Sequence, residues 1–179
     1  MNAITIGSTG AVGRDLLTVL ASDPVYERVD VLFSSLGTSK KQAGGKGQQW
    51  RVDHDYQRTA AKAARANGVP KMVVVSSVGA DPASSFFYLR MKGEIESDLQ
   101  ALTFPSLTIL RPPSLIRHPA KRLTETLSVK ALQALNAVGL FKRMQPMPTL
   151  DVARAMAHLA QDEAQGMNIV SGQDILFHR

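Results

Sequence analysis

This sequence predicts an α/β fold: a Rossmann-like, doubly wound parallel sheet forming a single domain over residues 1–179. Three observations predict it. The apolar run Ala3-Ile4-Thr5-Ile6 leads directly into Gly7-Ser8-Thr9-Gly10-Ala11-Val12-Gly13. Strand, glycine turn and helix in that order turn backbone N–H groups and a helix N-terminus toward an anion. Further along, short apolar runs alternate with longer helical patterns, as successive βαβ units require. Finally, Met72-Val73-Val74-Val75 is apolar without interruption, the mark of a parallel strand buried on both faces.

The elements follow in order. Ala3–Ile6 is the first strand, and its helix runs from Ala11 to about Ala21, before Pro24. Val29–Phe33 is the second strand and continues into Ser34-Ser35-Leu36-Gly37-Thr38. Thr38–Gln49, with Gly44, Gly45, Gly47 and three lysines, reads as a loop. A helix from about Asp53 to Asn67 carries Asp53 and Asp55 in its first turn and stops at Gly68 and Pro70. Lys71–Ser76 is the third strand, about Ser85 to Leu102 a helix, and Ser106–Leu110 a fourth strand halted by Pro112-Pro113. Leucines 123, 127, 132 and 135 place a helix near Leu123–Val138, closed by Gly139. After the link Met144–Pro148 come a helix over Asp151–Ala160 and a last strand at Met167–Val170.

One piece of this plan is missing. In a complete Rossmann half, the residue that reads the adenosine ribose lies about 20 residues past the glycines. Here the first helix passes almost at once into Val29–Phe33, whose sequel Leu36-Gly37-Thr38 has the character of a later strand end. About one βα unit, roughly 30 residues, is therefore absent, with a join at Arg28/Val29 or Val29/Asp30. A segment closed up by the numbering and a true deletion both account for it.

Composition narrows the function classes. The chain is 44% hydrophobic and 20% charged, as ordinary globular domains are. It has no cysteine, which excludes disulfides, thiolate catalysis and Cys-type zinc sites. The four histidines (His54, His118, His158 and His178) have no ligand spacing, so no metal site is expected. The net charge is +6, but the basic residues are dispersed and no aromatic-interleaved basic stripe appears, so nucleic acid is not an expected partner. No apolar run approaches the ~20 residues of a membrane span. A strand starting at Ala3 leaves no room for a secretory leader. Cytoplasmic location without membrane attachment is the expectation.

The chemistry lies in Tyr88-Leu89-Arg90-Met91-Lys92, downstream of Val73-Val74-Val75-Ser76-Ser77. Tyr88 and Lys92 stand at i and i+4, on one helix face. A free tyrosine gives up its proton only near pH 10. A nearby ammonium, with the positive ring of an oxidised nicotinamide, favours the phenolate. Lys92 also reaches a nicotinamide ribose. A serine at the preceding strand end would polarise a substrate carbonyl: Ser77, with Ser76 the next choice. Tyr88 also fits a core aromatic beside Phe86 and Phe87, and the two serines fit turn formers. The order of the motifs favours catalysis. Arg111 suits either backbone carbonyls or a cofactor. Arg117, Lys121 and Arg122 suit either a cofactor phosphate or solvent.

On these residues the sequence resembles the atypical short-chain dehydrogenase/reductases, and within them the Tat-interacting oxidoreductase group. The resemblance runs through Gly7–Gly13, Leu36-Gly37-Thr38, Lys41-x-Ala43-Gly44 and Val52-Asp53-x-Asp55-Tyr56. It is strongest from Ser76 to Glu94 and continues through Leu110-Arg111-Pro112 and Asp151–Met156. It implies an NADP(H) site, with NAD possible. Thr9, Gly10, Ala11 and Val12 would line the pyrophosphate, with Gly7, Ser8 and Gly13 completing the turn. Leu36 and Gly37 would sit beside the adenosine and its ribose, and Leu115 near the nicotinamide. Tyr88 and Lys92 would be both catalytic pair and cofactor contacts, Ser76 a further contact, and Arg122 a phosphate contact. The basic residues that read a 2′-phosphate in the family have no counterpart after the first helix. The implied activity is oxidoreduction of a small carbonyl or alcohol, with 112–148 as a substrate-side insertion. The alternative is a catalytically idle NADP(H)-binding regulator that acts through protein partners.

Overall fold

The computed structural model describes residues 3–7, 12, 15, 31–116 and 145–179. Its strands are β1 (Ala3–Ile6), β2 (Val31–Ser34), β3 (Lys71–Val75), β4 (Ser106–Arg111), β5 (Leu115–Ile116), β6 (Met147–Pro148) and β7 (Gly166–Ser171). Five of them make one parallel sheet in the order β1-β2-β3-β4-β7, while β5 and β6 pair separately. The helices are α1 (Lys40–Ala43), α2 (Lys46–Trp50), α3 (Tyr56–Ala66), α4 (Phe87–Ala101) and α5 (Thr149–Gln161). Ile6, Ser34, Val74, Ile109 and Ile169 stand level across the sheet. The segments that follow them therefore leave from one rim, where parallel α/β sheets place their sites.

Side chains alternate along a strand, so β2, β3 and β4 fill both faces. On one face Val31, Phe33, Val73, Val75 and Leu110 pack with Val12, with Val152, Met156 and Leu159 of α5, and with Ile175. On the other, Leu32, Met72, Val74, Leu107 and Ile109 pack with Ala61 and Ala64 of α3 and Ile95 and Leu99 of α4. Helices thus cover both faces of the α/β, Rossmann-like sheet that the sequence predicts.

β1 hydrogen-bonds to β2 on one side, and among the described residues nothing pairs with its other side. Ile4 is accordingly 50% exposed. A ribose-reading strand would stand on that side in a complete Rossmann half.

Thr38–Gln49 is not a loop. The Ser39 hydroxyl accepts from the Gln42 N–H at 3.3 Å and caps α1, which Gly44 closes in the left-handed region at φ 87°. From Gly45, α2 runs through a π-helical stretch, Arg51–Asp55, straight into α3. Of the glycines that suggested a loop, Gly44 and Gly45 are punctuation between helices and Gly47 lies within α2. The 3₁₀ segment Gly172–His178 and the β5–β6 pair are further elements that periodicity does not show. The expected helix over Leu123–Val138 lies outside the described residues.

Candidate functional site

At the carboxyl ends of the strands lies a cleft of about 130 Å³. Of the residues chosen from the sequence, Val12, Leu36, Gly37, Ser76, Tyr88, Lys92 and Leu115 line it. The structure adds Ser35, Thr38, Asp53, Val75 and Thr149. Ser77 stands one residue past Ser76 and does not reach the cleft wall; its hydroxyl donates to the Val78 carbonyl at 3.3 Å. Ser8, Thr9, Gly10, Ala11, Gly13 and Arg122, with Arg117 and Lys121, lie outside the described residues.

Gly7 supports the cleft from behind. Its φ is 85°, and a Cβ there would stand 2.6 Å from the Leu36 amide nitrogen. Only glycine lets the end of β1 lie so close to Ser35–Leu36, where the Ser35 N–H donates to the Ile6 carbonyl at 3.0 Å. Across the cleft, the Thr149 hydroxyl donates to Asp15 Oδ2 at 2.5 Å.

The α4 wall is tightly held. Tyr88, Lys92 and Glu96 follow one another at i+4 spacing, but their exposures differ. Tyr88 is 41% exposed at the mouth, while Lys92 is 3% and Glu96 7% exposed. Glu96 accepts from Arg111 Nε at 3.1 and 3.2 Å, from Arg111 Nη2, and from the Ser76 hydroxyl. One carboxylate thereby ties α4 to the ends of β3 and β4. Arg111 is taken up by Glu96, which neither of its sequence-based roles anticipated. Gly93 adds a second fastening: a Cβ there would meet Pro82 N at 2.2 Å. The Asp81–Pro82 turn rests directly on the helix, and the Asp81 N–H donates to the Leu89 carbonyl at 3.1 Å.

Asp53 faces this wall. It is 1% exposed, and its Oδ1 accepts from the Thr38 N–H at 2.6 Å. Its Oδ2 has no partner among the described residues. Burial pushes the Asp53 carboxyl above the usual carboxylate range, against the downward pull of the Lys92 ammonium, the Thr38 hydrogen bond and the nearby Gln49 side chain. No described side chain bonds or ion-pairs with Lys92. Close by, Trp50 stacks on His54 at 4.7 Å and 27° and lies 6.2 Å from Phe87.

Sequence reasoning missed Asp53, taken for a charged helix start, together with Thr38, Thr149 and Glu96. A signal existed for Glu96, one further i+4 step along the Tyr88–Lys92 face. The signal for Thr38 was its place at the end of Leu36-Gly37-Thr38.

Fold and cleft together define the class: a Rossmann-like α/β protein with the fold of short-chain dehydrogenase/reductases. Solved structures agree. One of a protein named MoeE5, with UDP-glucose and NAD, aligns at TM-score 0.69 and 14% identity, covering 98% of this chain and 79% of that one. A Pseudomonas aeruginosa protein, RMD, complexed with NADPH, aligns at TM-score 0.66 and 14% identity over 96% and 78%. A short-chain dehydrogenase/reductase superfamily protein from Agrobacterium tumefaciens with bound NAD aligns at 0.67 and 13% over 95% and 77%. At such identities the likeness is one of fold.

The chain belongs to the HIM1 family, whose model matches residues 14–145. Curated relatives include "Protein FMP52-1, mitochondrial" of Scheffersomyces stipitis, 32% identical over 201 residues, 90% of this chain and 89% of that one. "Protein FMP52, mitochondrial" of Candida glabrata is 49% identical over 148 residues, 64% of each chain. These names overturn the cytoplasmic expectation: the relatives are mitochondrial. That expectation rested on missing signals, which do not specify a compartment. The 201 aligned positions span only 90% of a 179-residue chain, so about 40 of them have no counterpart here.

Proposed function

We propose that this chain is a mitochondrial oxidoreductase that binds NADP(H) in the cleft and acts on a small carbonyl or alcohol. The reading agrees with the Tat-interacting group it resembles. The observation that carries it is convergence. Tyr88 and Lys92, i and i+4 on α4, share one cleft with Val12, Leu36, Gly37 and Leu115, which come from three other segments of the chain. The residues fit a dinucleotide, since the cleft holds a buried carboxylate oxygen and a buried ammonium with no bonding partner among the described residues. Leu36 and Gly37 would hold the adenosine side, Lys92 the nicotinamide ribose, and Leu115 the nicotinamide face. The glycine turn from Gly7 to Gly13 would receive the pyrophosphate.

When bound, the nicotinamide supplies or accepts hydride. The chain's own task is then the proton. Tyr88, at the open mouth, exchanges it with the substrate oxygen through its hydroxyl. The buried Lys92 ammonium stands one turn deeper on the same helix face. Of the two serines expected to polarise the carbonyl, Ser77 stands outside the cleft wall and Ser76 lines it. The hydroxyl of Ser76 is bonded to Glu96, which favours an anchoring part for it. Residues 112–148 would complete the substrate side of a single domain spanning 1–179.

Trp50 fluorescence, followed during separate NADPH and NADH titrations, tests binding, and turnover of an aldehyde and ketone panel tests activity. Saturable quenching by NADPH with turnover of at least one panel member supports the reading; no response to either dinucleotide sinks it. One observation favours a second reading. About 40 positions of the alignment with the Scheffersomyces stipitis relative have no counterpart here, and β1 has no partner on one side among the described residues. A chain so reduced could bind NADP(H) without turnover and act through protein partners. Quenching without turnover of any panel member selects that reading.

A further inference from the structure

In the cleft, Asp53 and Lys92 are two halves of an unfinished contact. Asp53 is a 1%-exposed acceptor with one oxygen unbonded, and Lys92 a 3%-exposed cation without a bonding partner among the described residues. They line the same cleft, yet Lys92 does not touch the free oxygen. A buried polar atom without a partner is costly, and here the cost falls on the Asp53 carboxylate, with the Lys92 cation lining the same cleft. What completes both is a ligand that offers a donor and an acceptor side by side. A vicinal diol does this: one hydroxyl donates to the carboxylate and the neighbouring hydroxyl oxygen accepts from the ammonium.

We propose that Asp53 is a ligand-binding residue of the cleft, whose Oδ2 accepts a hydrogen bond from a ribose hydroxyl on the nicotinamide side while Lys92 donates to its neighbour. This rests on the proposed nicotinamide-dinucleotide reading. Thr38 has the supporting part: its N–H holds Oδ1 at 2.6 Å and leaves Oδ2 without a partner among the described residues. The π-helical stretch Arg51–Asp55 carries Asp53, and such local widening of a helix recurs at functional positions. Among the described residues, Asp53 is the carboxylate that lines the cleft.

The test is calorimetry on the full chain with NADPH and with an NADPH analogue whose nicotinamide-side ribose lacks both hydroxyls. Asp53→Ala should weaken NADPH binding about tenfold or more, as loss of a charged hydrogen bond does. It should change affinity for the dideoxy analogue less than about twofold, because the contact is already gone. Asp53→Asn, which keeps an acceptor oxygen and guards against a misfolded alanine variant, should fall between wild type and alanine for NADPH. Equal weakening of both ligands would make Asp53 merely structural and overturn the proposal, as would NADPH affinity unchanged in both variants. If folded wild type binds neither ligand, the dinucleotide reading itself fails. Wild-type binding with indifferent variants removes only the diol contact.

Discussion

The two walls of the cleft are built to different standards. The α4 wall is fastened several times over: Glu96 joins Arg111 and Ser76, Gly93 admits the Asp81–Pro82 turn, and Met91, Ile95 and Leu99 are fully buried. The β1 wall is four residues long, with its first two exposed, and it pairs with β2 alone among the described residues. The difference teaches where each part of the function must reside. A proton-transferring pair needs fixed geometry, and Tyr88 and Lys92 stand on the rigid wall. The side that would grip the adenosine half of a dinucleotide is the reduced one.

The largest expected effect tests the rigid wall. Tyr88→Phe removes one hydroxyl from a half-exposed ring, and loss of such a proton-transfer group should lower turnover about a hundred- to ten-thousandfold. NADPH affinity should stay within about twofold of wild type. If the variant keeps turning over, the proton comes from elsewhere and the assignment of this wall fails.

A stability pair sharpens the contrast between strands. Phe33, fully buried at the centre of β2, should cost about 3–5 kcal/mol on replacement by alanine. Ile4→Ala, one strand away and 50% exposed, should cost under about 1 kcal/mol. Urea unfolding of both variants gives the comparison, and equal losses would mean that β1 is buried as deeply as β2. Arg111→Ala ranks next. It leaves the Glu96 carboxylate buried with only Ser76 as partner, an arrangement that should cost about 3 kcal/mol. Since that carboxylate steadies α4, turnover should fall too, whereas a purely local loss would leave kcat untouched.

Burial explains what the sequence could and could not disclose. The strand Met72–Val75 was readable because a strand buried on both faces must be apolar throughout. Tyr88 and Lys92 were readable because helical spacing alone puts them on one face. Ser39 and the glycines at 44 and 45 misled: residues that cap short helices are the same ones that make loops. The β5–β6 pair, two residues per strand, is too short for any period. Asp53 was opaque for another reason. An aspartate near the start of a helix is usually solvated, and only tertiary packing of α2–α3 against α4 and β2 takes it out of water.

That burial leads to the smallest expected effect. The Asp53 carboxyl titrates higher in the folded chain than in the unfolded one, because burial outweighs the pull of Lys92. The folded state therefore holds this proton more tightly. The stability gained is fully present below the unfolded value of about 3.9 and is lost as pH rises through the folded value. Ionising Asp53 as pH rises thus leaves a buried charge with one oxygen unbonded among the described residues, whereas Asp53→Asn keeps an acceptor for the Thr38 N–H and has no charge to desolvate. The variant should melt slightly above wild type at pH 7, and the gap should close as pH falls toward 4. NADPH should raise the melting temperature of wild type more than that of the variant, because the ligand supplies what the free oxygen lacks. A melting gap that does not change with pH would detach Asp53 from the cleft's electrostatics. A closing gap with equal ligand shifts would keep the buried charge but separate it from binding. Both results together would identify a residue kept at some cost to stability for the sake of its ligand, as functional sites often are.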